Sequence, residues 1–221
     1  MKYYPVYLDV KNKACLVVGG GEVGTRKVKT LLDCGARVTV VSLDVAPELF
    51  QLVRAGAVTL HRRTFRPGDL DGMFLVIGAT DDPRLNLSVS REALGRNMLC
   101  NVADRPEACN FILPSIVNRG DLIIAVSTSG TSPAFAKTLR RELEQRFGPE
   151  HADFLSLMGQ VRRKLLKTAH PPEAHKPLFE ALIRSDLLRW IKEKDIGRIN
   201  ALLRKIFGKE YEIDALPGEK S

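Results

Sequence analysis

Short apolar runs alternate with amphipathic stretches over the first half of the chain. The runs are rich in β-branched residues, whereas apolar side chains between them recur at helical spacing, as Val28, Leu31 and Leu32 do. The predicted strands are 13–19, 36–42, 58–65, 73–80 and 98–103, and the predicted helices are 22–34, 46–55 and 83–96. Strands that alternate with helices are typical of a parallel sheet covered on both faces. The pattern predicts a Rossmann-like, doubly wound α/β domain over residues 1–113.

A different pattern follows this alternation. Residues 110–128 read as two strands around the turn at 118–121, which predicts a hairpin and therefore a small α+β region. Ser132 and Pro133 then suit the start of a helix that continues to about residue 147. The rest, to residue 207, is helical in pattern, with expected breaks near 170–177 and at Gly197.

Charge and composition narrow the class of protein. The net charge is +8, but the basic residues are spread out, and no run of like charges suggests a nucleic-acid-binding tail. The positive field fits either a solvated surface or capture of an acidic small molecule. No apolar run reaches the roughly 20 residues that span a bilayer, and the start lacks a signal-peptide pattern. We therefore expect a cytoplasmic protein without a membrane or nucleic-acid partner.

No protein metal site is expected. The four cysteines, Cys15, Cys34, Cys100 and Cys109, form no C-x-x-C pair and have no histidine at zinc spacing. Reduced, mostly buried thiols are the expected state. The histidines are expected at the surface and away from the carboxyl ends of the strands.

A glycine cluster follows the first predicted strand. Gly19, Gly21 and Gly24 form G-x-G-x-x-G where that strand passes into a helix, which is the context of a dinucleotide-binding loop. The first glycine permits the tight turn, the second lets the backbone approach a pyrophosphate, and the third allows close packing of helix and strand. A turn that is merely rich in glycine is the alternative.

The second predicted strand ends at Ser42, and Asp44 follows two residues later. A carboxylate near this point commonly binds the adenosine ribose. Asp44 fits that role or the capping of the next helix equally well. No arginine is expected beside Asp44 to receive a 2′-phosphate, which favours NAD over NADP.

Asp104 follows the fifth predicted strand, at the edge where parallel strands present their carboxyl ends. There it can carry a proton, or it can pair with Arg105 or close an Asx turn. Asp81 and Asp82 follow the fourth strand and precede Pro83, which favours helix capping.

A second polar cluster, Ser127-Thr128-Ser129-Gly130-Thr131, lies between a strand and a helix. Free N–H groups at a helix start suit carboxylates and phosphates. Capping by Ser132 explains part of the pattern, and binding of an anionic substrate fits it equally well.

Four segments together resemble the precorrin-2 dehydrogenases, which include the N-terminal module of siroheme synthase and the stand-alone dehydrogenase/ferrochelatases. The segments are PVYLDVKNK at 5–13, VVGGGEVGTRKV at 17–28, ATDDPRLN at 79–86, and the run from NVADRPEACN to AKTLR at 101–140. The resemblance implies NAD⁺-dependent oxidation of precorrin-2 to sirohydrochlorin, with Fe²⁺ insertion in some members. It implies that Asp104 serves both activities.

The resemblance also implies an architecture and a set of binding residues. It implies a homodimer, with a dimerisation region at 114–150 and a helical domain at 151–221. The expected NAD-binding residues are Gly19, Gly21, Glu22, Val23, Gly24, Leu43, Asp44, Thr80, Asn101 and Val102, and the expected tetrapyrrole-binding residues are Ser127, Thr128, Ser129, Gly130 and Thr131. Thr128 stands where several relatives have serine. An NAD-binding sensor without catalysis is the alternative function.

Overall fold

The computed structural model describes residues 1–103, 105–167 and 172–219, without the side chains of 172–174 and 219. The chain divides into two compact units, Met1–Leu113 and Pro114–Ser221. Among the described residues, the first unit has two apolar cores and the second has one. The finer boundary expected at residue 150 stays a prediction.

The first unit is a parallel sheet with helices between its strands. Its elements are β1 (Ala14–Gly20), α1 (Glu22–Asp33), β2 (Arg37–Val45), α2 (Pro47–Arg54), β3 (Val58–His61), β4 (Leu75–Gly78), α3 (Pro83–Gly95) and β5 (Leu99–Val102). Single 3₁₀ turns lie at Pro67–Leu70 and Pro106–Ala108. The strand order is β3-β2-β1-β4-β5, with every pairing parallel. The predicted Rossmann-like sheet is confirmed.

Apolar side chains on β1 alternate between two cores, one on each face of the sheet. Cys15 and Val17 join the core that includes Val28 of α1, whereas Leu16 and Val18 join the core that includes Val89 of α3. All four of these β1 residues are buried. A strand buried on both faces has no polar side to alternate, which explains its continuous apolar sequence.

Two strand boundaries differ from those expected. β2 continues past Ser42 to Val45, because Gly20 pairs with Val45 beyond a register shift in β1. Leu43 and Asp44 therefore lie within the strand and not after it. β3 ends at His61, four residues before the predicted end, and the chain then turns towards the 3₁₀ turn.

The second unit joins a hairpin to a helical bundle. Its elements are β6 (Ser115–Arg119), β7 (Leu122–Val126), α4 (Pro133–Arg146), α5 (Glu150–Leu165), α6 (Pro172–Arg184), α7 (Leu187–Glu193) and α8 (Ile196–Phe207), followed by 3₁₀ turns at Lys209–Tyr211 and Pro217–Glu219. The antiparallel pairing of β6 with β7 confirms the hairpin. The break expected at Gly197 lies earlier, because Lys194 adopts a left-handed conformation and Asp195 caps α8. No described helix is long and apolar enough to cross a membrane.

Candidate dinucleotide site

An open cleft of about 730 Å³ lies in the first unit where β1, β2 and β4 end. Parallel strands present their carboxyl ends at one edge, and ligands of such sheets bind there. The lining includes seven of the residues expected from sequence, which are Gly19, Gly21, Glu22, Val23, Leu43, Asp44 and Thr80. The lining also includes residues that the sequence patterns did not single out, among them Arg63, Thr64 and Phe65.

The glycines of the first turn divide into two kinds. A Cβ on Gly19 would lie 2.3 Å from the Ala79 carbonyl oxygen, and one on Gly24 would lie 2.1 Å from the Gly19 carbonyl oxygen. Both contacts are impossible, and Gly19 also has a φ of +111°. A Cβ on Gly21, by contrast, meets nothing within 4 Å among the described atoms, although Gly21 lines the cleft. Two positions need glycine for the fold, and the third keeps the space above the turn open.

The start of α1 opens onto this space. Gly21 is its N-cap residue and supplies no side-chain bond to the first turn, and Glu22 and Val23 line the cleft. The exposed N–H groups of a helix start attract anions. A pyrophosphate fits the bare turn, the helix start and the open position at Gly21.

Ser42 fixes the end of β2 against the glycine turn. The Gly20 N–H donates to the Ser42 hydroxyl at 2.9 Å, and that hydroxyl donates to the Asp44 carbonyl oxygen at 2.6 Å. The Asp44 carboxylate itself is 98% exposed. Capping by Asp44 is excluded, because Ala46 is the N-cap residue of α2 and makes no side-chain bond. The Asp44 carboxylate therefore lies on β2, has no capping role and is available to a ligand.

The expectation that no arginine lies beside Asp44 is wrong in three dimensions. Arg62, just after β3, places its Nη2 3.8 Å from Asp44 Oδ1. Its Nε donates to the Leu43 carbonyl oxygen at 3.0 Å. The contact arises because β2 and β3 pair in parallel, with Val41 opposite His61.

The next arginine forms a different contact. Arg63 donates to both carboxylate oxygens of Asp69, at 2.9 and 2.6 Å. These hydrogen bonds from Arg63 lower the pKa of the Asp69 carboxyl below its ordinary value, against the opposing effect of burial. The Arg66 N–H donates to the same carboxylate at 2.8 Å. This network holds the wall of the cleft that follows β3.

Thr80 is held by a buried amide at the end of β4. Its N–H and hydroxyl both donate to Asn86 Oδ1, at 3.2 and 2.8 Å, and Asn86 Nδ2 donates back to the Thr80 carbonyl oxygen at 2.9 Å. Asp82 accepts from the Arg84 N–H at 2.8 Å and caps α3, as expected. Asn86 was not singled out from sequence, since a polar residue within a helix carries no distinctive signal.

The end of β5 contributes fewer residues to the cleft than expected. Asn101 donates from Nδ2 to the Phe111 carbonyl oxygen at 3.0 Å, and Val102 is buried in the core. Neither lines the cleft, although Ala103 does. Cys109 accepts a hydrogen bond from the Val102 N–H at 3.1 Å. Asp104 lies outside the described residues.

Two expectations about histidine are wrong. His61 is the last residue of β3, at the carboxyl edge of the sheet, although its side chain is exposed. His175 is buried, and its Nε2 lacks a hydrogen-bond partner within the described structure. His170 lies outside the described residues.

The serine cluster forms a turn between β7 and α4 in the second unit. Ser129 and Gly130 both have positive φ, at +54° and +86°. The Ser129 N–H donates to Ser127 Oγ at 3.1 Å, the Ser132 N–H donates to Thr128 Oγ1 at 3.1 Å, and the Thr131 N–H donates to the Thr128 carbonyl oxygen at 2.9 Å. Ser132 caps α4 by accepting from the Phe135 N–H at 3.2 Å. Hydrogen bonds within the turn and the cap of α4 therefore occupy three of its side-chain hydroxyls as acceptors.

Two family models match the chain. Residues 6–115 match a family described as putative NAD(P)-binding, and residues 119–146 match one described as sirohaem biosynthesis protein central. Siroheme synthase of Methylobacillus flagellatus is 47% identical over 144 residues, or 65% of this chain and 31% of that protein. Siroheme synthase of Salmonella typhi is 35% identical over 213 residues, or 96% of this chain and 47% of that protein.

A solved structure shows the same likeness in three dimensions over most of the chain. The precorrin-2 dehydrogenase SirC aligns with a TM-score of 0.79 at 25% identity, covering 92% of this chain and 98% of that one. The chain belongs to the siroheme synthase and precorrin-2 dehydrogenase family. The resemblance inferred from its motifs is confirmed.

The two matches follow the two units. The NAD(P)-binding match covers the parallel sheet and its cleft, and the sirohaem match runs from the end of β6 through the serine turn to the end of α4. The chain spans about a third to a half of the length of these curated relatives. Among the described residues, no three His, Cys, Asp or Glu side chains are grouped to hold a metal ion.

Proposed function

We propose that this protein oxidises precorrin-2 to sirohydrochlorin with NAD⁺. The observation that carries the proposal is the cleft at the ends of β1, β2 and β4, with its open position at Gly21, in a member of this family. NAD⁺ supplies the hydride acceptor. Precorrin-2 loses a hydride and a proton, and the products are sirohydrochlorin, NADH and H⁺.

The residues around the cleft have distinct proposed roles. The backbone at Gly19–Gly24 and the start of α1 bind the pyrophosphate. Asp44 accepts hydrogen bonds from the adenosine ribose, and Thr80, held by Asn86, fixes the rim nearest β4. Positioning supplies most of the rate, because hydride transfer requires close approach of donor and acceptor.

Asp104 is the proposed proton acceptor, on the strength of the family resemblance. The serine turn, Ser127–Thr131, is the proposed contact for the acidic tetrapyrrole. Thr128 retains a hydroxyl that accepts from the Ser132 N–H, so exchanging the usual serine for threonine preserves this bond. Dehydrogenation is therefore expected to survive the exchange.

A homodimer is the proposed assembly. Phe135 on α4, within the segment that carries the sirohaem match, is an apolar residue that is 60% exposed, and Ile116 on β6, just before that segment, is also exposed. Exposed apolar surface of this kind commonly marks an interface. Sedimentation should give twice the chain mass, and Phe135→Asp should lower it. A monomer at all concentrations would remove the dimer from the proposal.

The direct test is an anaerobic optical assay of the purified protein with precorrin-2, with and without NAD⁺. Sirohydrochlorin should appear only with NAD⁺, and Fe²⁺ added to the same cuvette then tests chelation. Asp104→Ala should abolish turnover and retain NAD⁺ binding. Asp33→Ala, an exposed change at the far end of α1, is the matched control and should turn over normally.

The outcomes separate the proposal from its rival. Wild-type turnover in Asp104→Ala would end the assignment of that residue. NAD⁺ binding without any NAD⁺-dependent change in precorrin-2 would favour a different substrate or a non-catalytic NAD sensor.

A further inference from the structure

The two consecutive arginines after β3 have different environments, although both lie near the cleft. Arg63 is engaged by both oxygens of Asp69, a carboxylate whose side chain is only 9% exposed. Among the described residues, Arg62 has one close anchor, the bond from its Nε to the Leu43 carbonyl oxygen. A guanidinium has five N–H donors, so this anchor leaves the terminal nitrogens of Arg62 for another acceptor.

Asp44, the charged partner of Arg62, holds the arginine weakly. Its Nη2 is 3.8 Å from Asp44 Oδ1, beyond hydrogen-bond distance, and the two side chains are 69% and 98% exposed. Exposed ion pairs of this kind contribute little to stability. Either side chain can therefore turn to a ligand without a large loss elsewhere. The Leu43 anchor nevertheless keeps the guanidinium beside the end of β2.

The end of β2 is where cofactor choice is made in sheets of this type. An acid there binds the 2′-hydroxyl of the adenosine ribose, and a nearby arginine accommodates the 2′-phosphate of NADP. This chain has both groups, with the acid on β2 and the arginine reaching it from just after β3. The carboxylate repels a 2′-phosphate, whereas the guanidinium attracts it.

We propose that Arg62 forms a 2′-phosphate subsite whose use is restricted by Asp44, so that this pair sets the preference between NAD⁺ and NADP⁺. This inference rests on the proposed dinucleotide cleft and adds a specificity-determining residue to it. With the Asp44 carboxylate present, its repulsion offsets the attraction of Arg62, and a 2′-phosphate adds little to the binding affinity. With asparagine at position 44, the anchored guanidinium binds the phosphate.

The test measures binding by calorimetry and does not depend on turnover. The probes are 5′-AMP and 2′,5′-ADP, which differ only in the 2′-phosphate, followed by NAD⁺ and NADP⁺. Asp44→Asn should raise the affinity for 2′,5′-ADP about tenfold relative to 5′-AMP, and Arg62→Ala in that background should remove the gain. Because the site is exposed, the gain should also shrink as salt is raised.

Arg54→Ala in the Asp44→Asn background is the matched control. Arg54 is an exposed arginine in the last turn of α2, and α2 runs back from the cleft edge, so the same charge is removed at the opposite edge. The 2′,5′-ADP preference should remain in this variant. Thermal unfolding of each variant should be close to wild type, as is usual for exposed substitutions.

Two results would overturn the inference. One is an Asp44→Asn variant with no gain for 2′,5′-ADP, and the other is a gain that persists without Arg62. If the wild type binds neither NAD⁺ nor 5′-AMP, the proposed dinucleotide cleft itself fails, which is distinguishable from a failure of Arg62 alone.

Discussion

Two strand-to-helix turns of this molecule carry small residues, but they differ in whether side chains accept hydrogen bonds from their backbone N–H groups. At the start of α1 the N-cap is Gly21, which makes no side-chain bond, and the turn lines an open cleft. At the start of α4 the hydroxyls of Ser127, Thr128 and Ser132 each accept from a backbone N–H. Glycine leaves the donors to a ligand, whereas serine and threonine satisfy them within the chain.

The surrounding sheet adds to this difference. The first turn leaves the middle strand of a parallel sheet, where neighbouring strand ends supply Asp44 and Thr80 to the same cleft. The second follows a two-stranded antiparallel hairpin. The first turn therefore suits a dinucleotide, because the topology of the sheet gathers other groups around a helix start that no side chain caps. The predictions below test that distinction.

The largest expected effect is on the fold of the first turn. Gly24→Ala should lower the free energy of unfolding by about 3 kcal/mol, because the new Cβ would meet the Gly19 carbonyl oxygen. Gly130→Ala in the second turn is the matched control. Its Cβ meets nothing within 4 Å, so it should lose only about 1 kcal/mol through its positive φ. Urea unfolding followed by circular dichroism measures both, and equal losses would contradict the contrast between the turns.

Gly21→Asp should weaken NAD⁺ binding and leave the stability of the fold unchanged. Its backbone φ of −71° suits any residue and its Cβ has room, so the unfolding midpoint should stay near wild type. NAD⁺ affinity should fall at least about 100-fold, since the carboxylate would occupy the place of the phosphates.

Gly21→Asn is the control for size without charge. It should weaken NAD⁺ binding less than Gly21→Asp does, in a calorimetric titration. Unchanged NAD⁺ affinity in Gly21→Asp would refute the assignment of this turn to the pyrophosphate.

The first turn was predictable from sequence because its determinants are local. Gly19, Gly21 and Gly24 lie within six residues, directly after a buried strand. The contact of Asp44 with Arg62 was not predictable, because it depends on the register of β2 against β3 and on where β3 ends. The Arg63–Asp69 pair was missed for a similar reason, since it requires the chain to turn back after the strand. Local motifs mark the phosphate loop, whereas pairing of separate segments builds the rest of the cleft.

A third prediction concerns the segment after β3 that lines the cleft, which Asp69 holds through hydrogen bonds. Asp69→Asn should lower stability at neutral pH by about 1.5 kcal/mol, through loss of charge-assisted bonds from the Arg63 side chain and the Arg66 N–H. Because folding lowers the pKa of Asp69, its contribution is complete above the ordinary value of 3.8 and is lost as pH falls through the folded value. The difference between wild type and variant in urea unfolding should therefore narrow progressively as pH falls below 3.8. A constant difference between pH 7 and pH 3 would contradict this account.

The smallest expected effect concerns the second turn. Ser132→Ala removes the bond from the Phe135 N–H and should lower the free energy of unfolding by about 1 kcal/mol. NAD⁺ affinity should not change, since the proposed pyrophosphate site is the glycine turn of the first unit. Ser132→Thr retains a capping hydroxyl and should recover most of the stability. If Ser132→Ala weakened NAD⁺ binding as strongly as Gly21→Asp does, the two turns would not differ in the way their hydrogen bonds indicate.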